Sequence, residues 1–270
     1  MRASVFYGKG GIGKSTVVSN LAALFAAAGQ RVLLFGCDPK SDSCYSLVQG
    51  PVVTVMERWL EVGDAELSLD SCLMPGRHGV ECIEVGGPLP GTGCGGRGIT
   101  KALELVGDPD ALRARYDVIL FDVLGDVVCG GFSAPMRSRY GDEVYIVTSG
   151  EFRSLFAANN IAQAVRHYAR NGVRLAGLIA NLRGLDGELD RVEQLALSIG
   201  SRVIHALPRD EEVAKAELGR VPVVDGSPSS PAAVALRDLY RKVAELDPNH
   251  RTIPRPLTRG ELDRIFLTPR

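Results

Sequence analysis

A short apolar run, residues 3–7, is followed at once by Gly8-Lys9-Gly10-Gly11-Ile12-Gly13-Lys14-Ser15 and then by a helical pattern. No other feature restricts the fold as much. The spacing is G-x-x-x-x-G-K-S, in the strand–loop–helix setting that gives the motif its meaning. Glycines let successive backbone N–H groups turn onto phosphate oxygens, and the helix N-terminus adds partial positive charge. Lys14 is expected on the β- and γ-phosphates of ATP and Ser15 on Mg²⁺. Gly8, Gly10, Gly11, Ile12, Gly13, Lys14, Ser15 and Thr16 are therefore predicted to bind nucleotide.

The remaining pattern extends this unit into a sheet. Candidate strands are residues 31–36, 118–121, 144–148, 175–179 and 202–206. Several are near-continuous Val, Ile and Leu, as strands covered on both faces read. Helical stretches lie between them at 15–28, 152–170, 190–198 and 231–246, with apolar residues three and four apart. The alternation predicts an α/β fold: a single doubly wound parallel sheet with flanking helices. We expect one ATPase domain over 1–248 and a proline-bearing surface tail over 249–270. With 270 residues and 45% hydrophobic content the chain can bury a full core. A net charge of −1 gives no general attraction to nucleic acid or anionic lipid. No signal peptide or membrane span is read, so a cytoplasmic location is expected.

Two further segments look like nucleotide switches. The second strand ends in Cys37-Asp38-Pro39-Lys40-Ser41-Asp42. A carboxylate at the C-terminal edge of a parallel sheet lies where ligands bind, so Asp38 is a candidate to orient or deprotonate water. Lys40 and Asp42 are placed to sense the γ-phosphate. The strand at 118–121 runs into Asp122-Val123-Leu124-Gly125-Asp126. Asp122 is expected near Mg²⁺, and the Gly125 N–H on the γ-phosphate, with Asp126 following its motion. Lys9 resembles the extra lysine of the deviant subclass of these ATPases, which reaches the nucleotide of the opposite subunit. That resemblance implies a face-to-face homodimer.

Six cysteines in a reducing compartment call for ligation or burial rather than disulfides. Cys94 sits in Gly91-Thr92-Gly93-Cys94-Gly95-Gly96-Arg97-Gly98, and Cys129 in Val128-Cys129-Gly130-Gly131. Glycine flanks let an inorganic cluster approach the backbone. A 4Fe–4S cluster needs four thiolates, and two per subunit doubled by a two-fold axis supply them. Cys129 also shares a short segment with Asp122 and Gly125, so ATP state and cluster environment would move together. Cys37, Cys44, Cys72 and Cys82 read as buried structural residues.

Residues 8–15, 37–42, 84–97 and 122–132 resemble the signature segments of nitrogenase iron proteins, and looser similarity reaches about Val224. The resemblance implies that Cys94 and Cys129 ligate one 4Fe–4S cluster per homodimer. It implies that Lys9, Lys14, Ser15, Asp38, Lys40, Asp42, Asp122 and Asp126 serve ATP. Asn181, Pro208, Arg209, Asp210 and Glu217 match the adenine side, and Arg97 the partner-docking face, where some family members carry a regulatory ADP-ribosylation site. Ferredoxin or flavodoxin would supply electrons to the protein, and a heteromeric nitrogenase-like catalytic component would receive them. Several positions depart from nitrogenase: Cys44, Leu89, Gly95, Ser133 and Ala134. The last four flank the cluster segments, which favours a methylthioalkane or tetrapyrrole reductase partner, with nitrogenase as the alternative. A positioning ATPase of the partitioning type shares the Lys9 loop but has no use for the paired cysteines. An iron–sulfur scaffold ATPase would carry a C-x-x-C pair, which is absent here.

Overall fold

The computed structural model describes residues 1–87, 95–106, 108–125, 131, 133–138 and 140–267, with the backbone alone at 64, 65, 95, 97 and 106. In chain order the elements are β1 (Arg2–Gly8), α1 (Lys14–Ala27), β2 (Val32–Gly36), α2 (Val55–Glu66), α3 (Leu69–Cys72), β3 (Met74–Pro75), β4 (Glu81–Glu84), α4 (Gly95–Val106), α5 (Pro109–Arg115) and β5 (Val118–Leu124). They continue with α6 (Ala134–Arg137), β6 (Glu143–Thr148), α7 (Phe152–His167), β7 (Arg174–Asn181), α8 (Glu188–Ser198), β8 (Val203–Leu207), α9 (Glu211–Leu218), α10 (Val223–Gly226), α11 (Pro231–Ala244) and α12 (Arg259–Phe266).

The strands form one sheet in the order β3-β4-β2-β5-β1-β6-β7-β8. Every pairing is parallel except that of β3 with β4. The expected parallel sheet thus carries one short antiparallel edge. Side-chain alternation divides the core between its two faces. Ala3, Val5 and Tyr7 of β1 join Ile119, Phe121 and Val123 of β5 on one face, with Leu155 and Ile161 of α7. Phe6, Val118 and Leu120 turn to the other, with Leu21 and Phe25 of α1 and Leu239 of α11. Phe25 meets Tyr240 edge-on at 4.9 Å. The same parity puts Asp122 on the α1 side of β5, under the glycine loop.

The elements not expected from sequence include four that matter below. β4 is only Glu-Cys-Ile-Glu, yet Cys82, Ile83 and Glu84 are all buried. The helix α2 begins at a Thr54–Glu57 capping box and is broken at Gly63, which has φ 71°. α4 starts inside a glycine-rich run because Ile99, Ala102 and Leu103 turn into the core. α12 lies within the expected surface tail, opened by a Thr258–Glu261 capping box. That segment is laced to the body: Leu175 and Thr252 exchange two 2.8 Å backbone bonds, as Asn159 and Leu257 exchange two through the Asn159 side chain. Leu262 is 1% exposed and belongs to the core, a correction to the expectation of a tail outside it. No helix among the described residues is long and apolar enough to cross a membrane.

Candidate nucleotide site and its link to the cysteine segments

The glycine loop closes over the N-terminus of α1. Gly11 and Gly13 have φ of +73° and +89°, a conformation that side-chain-bearing residues rarely adopt. Gly13 caps α1 in this left-handed state. A Cβ at Gly8 would come within 2.5 Å of the Val147 carbonyl oxygen, so the loop can leave β1 here only on glycine.

A cavity of about 340 Å³ opens on this loop. Its walls combine Lys9, Gly10, Gly11, Gly13, Lys14, Ser15 and Thr16 with Asp38, Lys40 and Asp42 of the first switch. Asn181, Pro208 and Glu217 complete the far side, with Val213, Ala232 and Leu236 as an apolar wall. Size and lining suit a nucleotide, with phosphates on the loop and base against the apolar side. The loop, the first switch and the strand-end residues named from sequence thus line one cavity.

Lys14 is buried and ion-paired to Asp122 Oδ1. Burial alone would lower the lysine's pKa, but the Asp122 carboxylate, with Asp38 and Asp42 behind it, raises it. Asp122 Oδ2 is buried without a hydrogen-bond partner. An orphaned carboxylate oxygen paired with Lys14, the chain neighbour of Ser15, fits a hard cation or its water, so Ser15 and Asp122 would hold Mg²⁺. Asp38 is buried, accepts the Lys40 N–H at 3.1 Å and has the Lys40 ammonium 3.9 Å from its other oxygen. Loss of solvent in the cleft, then the charges of Asp38 and Asp122, raise the Asp42 carboxyl.

Other expectations are revised. The Gly125 N–H, expected on the γ-phosphate, instead donates to the Gly8 carbonyl at 3.1 Å. A Cβ at Gly125 would fall 2.6 Å from that same oxygen, so the second switch is latched to the root of the loop. Ile12 is buried and offers its carbonyl, which accepts a 2.6 Å bond from Asn181 Nδ2. Asn181 therefore lines the cavity and also shapes the loop. Arg209 is exposed and reaches the Arg183 carbonyl at 3.3 Å. Asp210 caps α9 through the Glu212 N–H at 3.0 Å and also accepts the Ala232 N–H at 2.9 Å, bonds that lower its pKa. Neither Arg209 nor Asp210 lines the cavity; Asp210 instead ties two of its walls together. Sequence reasoning missed Arg183, which lines the cavity and donates to the Gly11 carbonyl. Its place two residues past Asn181, at a strand end, was the available signal. Buried Glu188 fixes that turn by accepting the N–H groups of Arg183, Gly184 and Leu185.

Cys94, Cys129, Asp126 and Leu89 lie outside the described residues, and of Arg97 only the backbone, in the first turn of α4, is described. Their neighbours are informative. A Cβ on Gly131 would fall 2.8 Å from both the C and O atoms of Gly96. Backbone two residues beyond Cys129 therefore lies on backbone two residues beyond Cys94, and this close glycine contact suits a cluster held between the two segments. Ser133 and Ala134, two of the departures that bore on the partner, are buried: Ser133 Oγ lies 3.0 Å from the Tyr168 hydroxyl and Ala134 joins the core. Cys37, Cys44, Cys72 and Cys82 are free thiols, all buried. Among the described residues no group of three or more His, Cys, Asp or Glu gathers as a metal site.

Sheet order, glycine loop and the Lys14–Asp122 pair define a P-loop ATPase. Solved structures of this fold include the cell division ATPase MinD of Pyrococcus furiosus (21% identity, 91% of this chain and 100% of that one, TM-score 0.70). Others are MinD of Pyrococcus horikoshii complexed with Mg-ADP (21%, 91% and 97%, TM-score 0.69) and cobyrinic acid a,c-diamide synthase of Mycobacterium smegmatis with bound ADP and magnesium (18%, 90% and 94%, TM-score 0.63). At these identities the likeness is one of fold. The chain belongs to the NifH/frxC family of 4Fe-4S iron sulfur cluster binding proteins, whose profile matches residues 2–269.

Proposed function

We propose that the protein is the ATP-dependent reductase component of a nitrogenase-like enzyme. It acts as a homodimer and passes low-potential electrons to a separate catalytic component. Cys94 and Cys129 of both subunits hold one 4Fe–4S cluster, which supplies a one-electron carrier. The observation that carries this reading is the short physical route between nucleotide and cysteines. Gly125, hydrogen-bonded to Gly8, stands four residues before Cys129, and Gly131 rests on Gly96, two residues after Cys94.

The chain's own groups have distinct tasks. The loop and Lys14 bind the phosphates, Ser15 and Asp122 hold Mg²⁺, and Asp38 orients the attacking water. Lys40 and Asp42 read the γ-phosphate, and Lys9 reaches across the dimer. Asp126 follows Gly125 when its bond to Gly8 changes. Ferredoxin or flavodoxin reloads the protein in the cytoplasm, and Arg97 faces the catalytic component, where a guanidinium suits a carboxylate. Leu89 and Gly95 favour a methylthioalkane or tetrapyrrole reductase partner, with nitrogenase as the alternative.

Anaerobic purification tests the reading. The expected product is brown, with a paramagnetic signal on reduction that Cys94→Ser or Cys129→Ser abolishes. An iron-free wild-type protein, or full iron in either variant, would overturn it. Mixing with purified catalytic components of each type, under ATP and a low-potential donor, identifies the partner by its product.

A further inference from the structure

Glu84 ends β4 with 0% of its surface exposed, and nothing in nucleotide binding accounts for a carboxyl there. One oxygen accepts the Cys44 N–H at 2.6 Å; the other has no hydrogen-bond partner. Burial pushes its pKa up to about 8; the Cys44 N–H opposes this and Asp122 adds to it. The shift favours the uncharged acid, whose one oxygen accepts from Cys44. Its space is reserved, since a Cβ on Gly36, its partner across the sheet, would overlap the carboxyl.

Cys44 closes the first switch two residues after Asp42, so Glu84 holds the far end of that switch. The near end touches the same strand's continuation: a Cβ on Gly87 would lie 2.9 Å from Pro39 Cβ. Residues 84–87 are the root of the chain that leads to Cys94 and then α4. They also anchor α2. Thr54 bridges to Glu84, and Met56 N–H donates to the Val85 carbonyl at 3.1 Å. From α2, Trp59 meets α4 again, with the Lys101 ammonium 5.6 Å from its ring centroid. The first switch, the root of the Cys94 segment and the start of α2 thus meet on the short stretch 84–87, with the buried Glu84 side chain fixing its first residue to Cys44.

We propose that Glu84 is a positioning residue that passes the nucleotide state of the first switch to the Cys94 segment and the α2–α4 face. This rests on the functional reading above, and supplies Cys94 with a route separate from the one through Gly125 to Cys129. When Asp38 and Asp42 respond to a γ-phosphate, Pro39 moves against Gly87 while Glu84 holds Cys44. The displacement is then delivered to residues 85–87 instead of being lost by sliding of the switch.

Trp59 is the chain's single tryptophan and reports on this face directly. The experiment uses the full-length protein as isolated. It compares Trp59 emission and acrylamide quenching with Mg²⁺ and a non-hydrolysable ATP analogue against Mg·ADP, and measures nucleotide affinity in parallel. Wild type is expected to distinguish the two nucleotides. Glu84→Gln, which keeps shape and acceptor, should retain the difference. Glu84→Ala and Gly87→Ala should bind both nucleotides yet lose the difference about fivefold or more. If Glu84→Ala does not fold, Gly87→Ala decides. No difference in wild type, an unchanged difference in the alanine variants, or a Gln variant as uncoupled as Ala would each overturn the proposal. Iron content, assayed separately, tests the functional reading: an iron-free protein with an intact Trp59 response would sink that reading and leave this one standing.

Discussion

The ammonium of Lys14 is paired with the carboxylate of Asp122 inside the protein, at 5% and 0% side-chain exposure. Each neutralises the other here; in the proposed function the phosphates would claim Lys14 and Mg²⁺ would claim Asp122. Lys14→Gln leaves a buried carboxylate without a counter-charge, an arrangement that costs about 3–5 kcal/mol. We expect ATP turnover to vanish and urea stability to fall by that order. Undiminished stability would mean that the pair is absent in solution.

Glu84 gives a pH dependence of definite sign. Its folded pKa of about 8 lies above the ordinary glutamate value of 4.5, so between these values the folded chain binds more protons than the unfolded one. Stability is therefore fullest below the unfolded pKa and declines as pH rises through the folded pKa, with a slope approaching about 1.4 kcal/mol per unit. Glu84→Gln should flatten the slope and be the more stable form at pH 8. Denaturant melts of both proteins from pH 5 to pH 9 check this, and parallel curves would refute it.

Gly131 and Gly96 admit no side chain between them. Gly131→Ala should part the two cysteine segments, lower iron content several-fold and speed removal of iron by chelator. Nucleotide affinity should stay near wild type, because the cavity is untouched. Normal iron content would show that the segments need not be in contact.

Asn181 gives its amide hydrogen to the Ile12 carbonyl. Asn181→Asp sets a carboxylate oxygen against that carbonyl and adds negative charge beside the phosphates. Nucleotide affinity should fall about tenfold, some 1.4 kcal/mol, in equilibrium titration. A smaller loss for Asp than for Ala would show that the Ile12 bond has no part in binding.

Leu262 is sealed into the core from a segment that reads as surface. Leu262→Ala should cost about 2–4 kcal/mol and lower the melting temperature. A change within error would return the segment to the status of a tail.

What could be read in advance followed from local signals. The glycine loop, β1, α1 and the Val/Ile-rich strands announce themselves through spacing and composition alone. β4 was hidden because two of its four residues are glutamates, and only the fold reveals that Glu84 is buried. α4 was hidden by its glycines, whose low helix propensity is overridden by the packing of Ile99 and Leu103. The tail's prolines suggested surface, whereas its attachment depends on Leu175 and Asn159, far away in sequence. Asp210 resembled a ligand by position, yet both of its oxygens are committed to backbone N–H groups. Arg183 and Glu188 carried no motif, and their work on the loop appears only once β7 lies beside it.

The place of β1 in the sheet has a consequence in time. Its neighbours begin at Val118 and Glu143, so the earliest strand made has nothing to pair with for more than a hundred residues. Such long-range pairing must await the closure of large loops, which slows assembly. The segment that grips phosphate is thus written first and shaped late. A nascent chain lacking β6 has no Val147 to seat Gly8, and ATP is not available to it as a folding ligand. Capture on immobilised ATP would therefore sort completed sheets from incomplete ones.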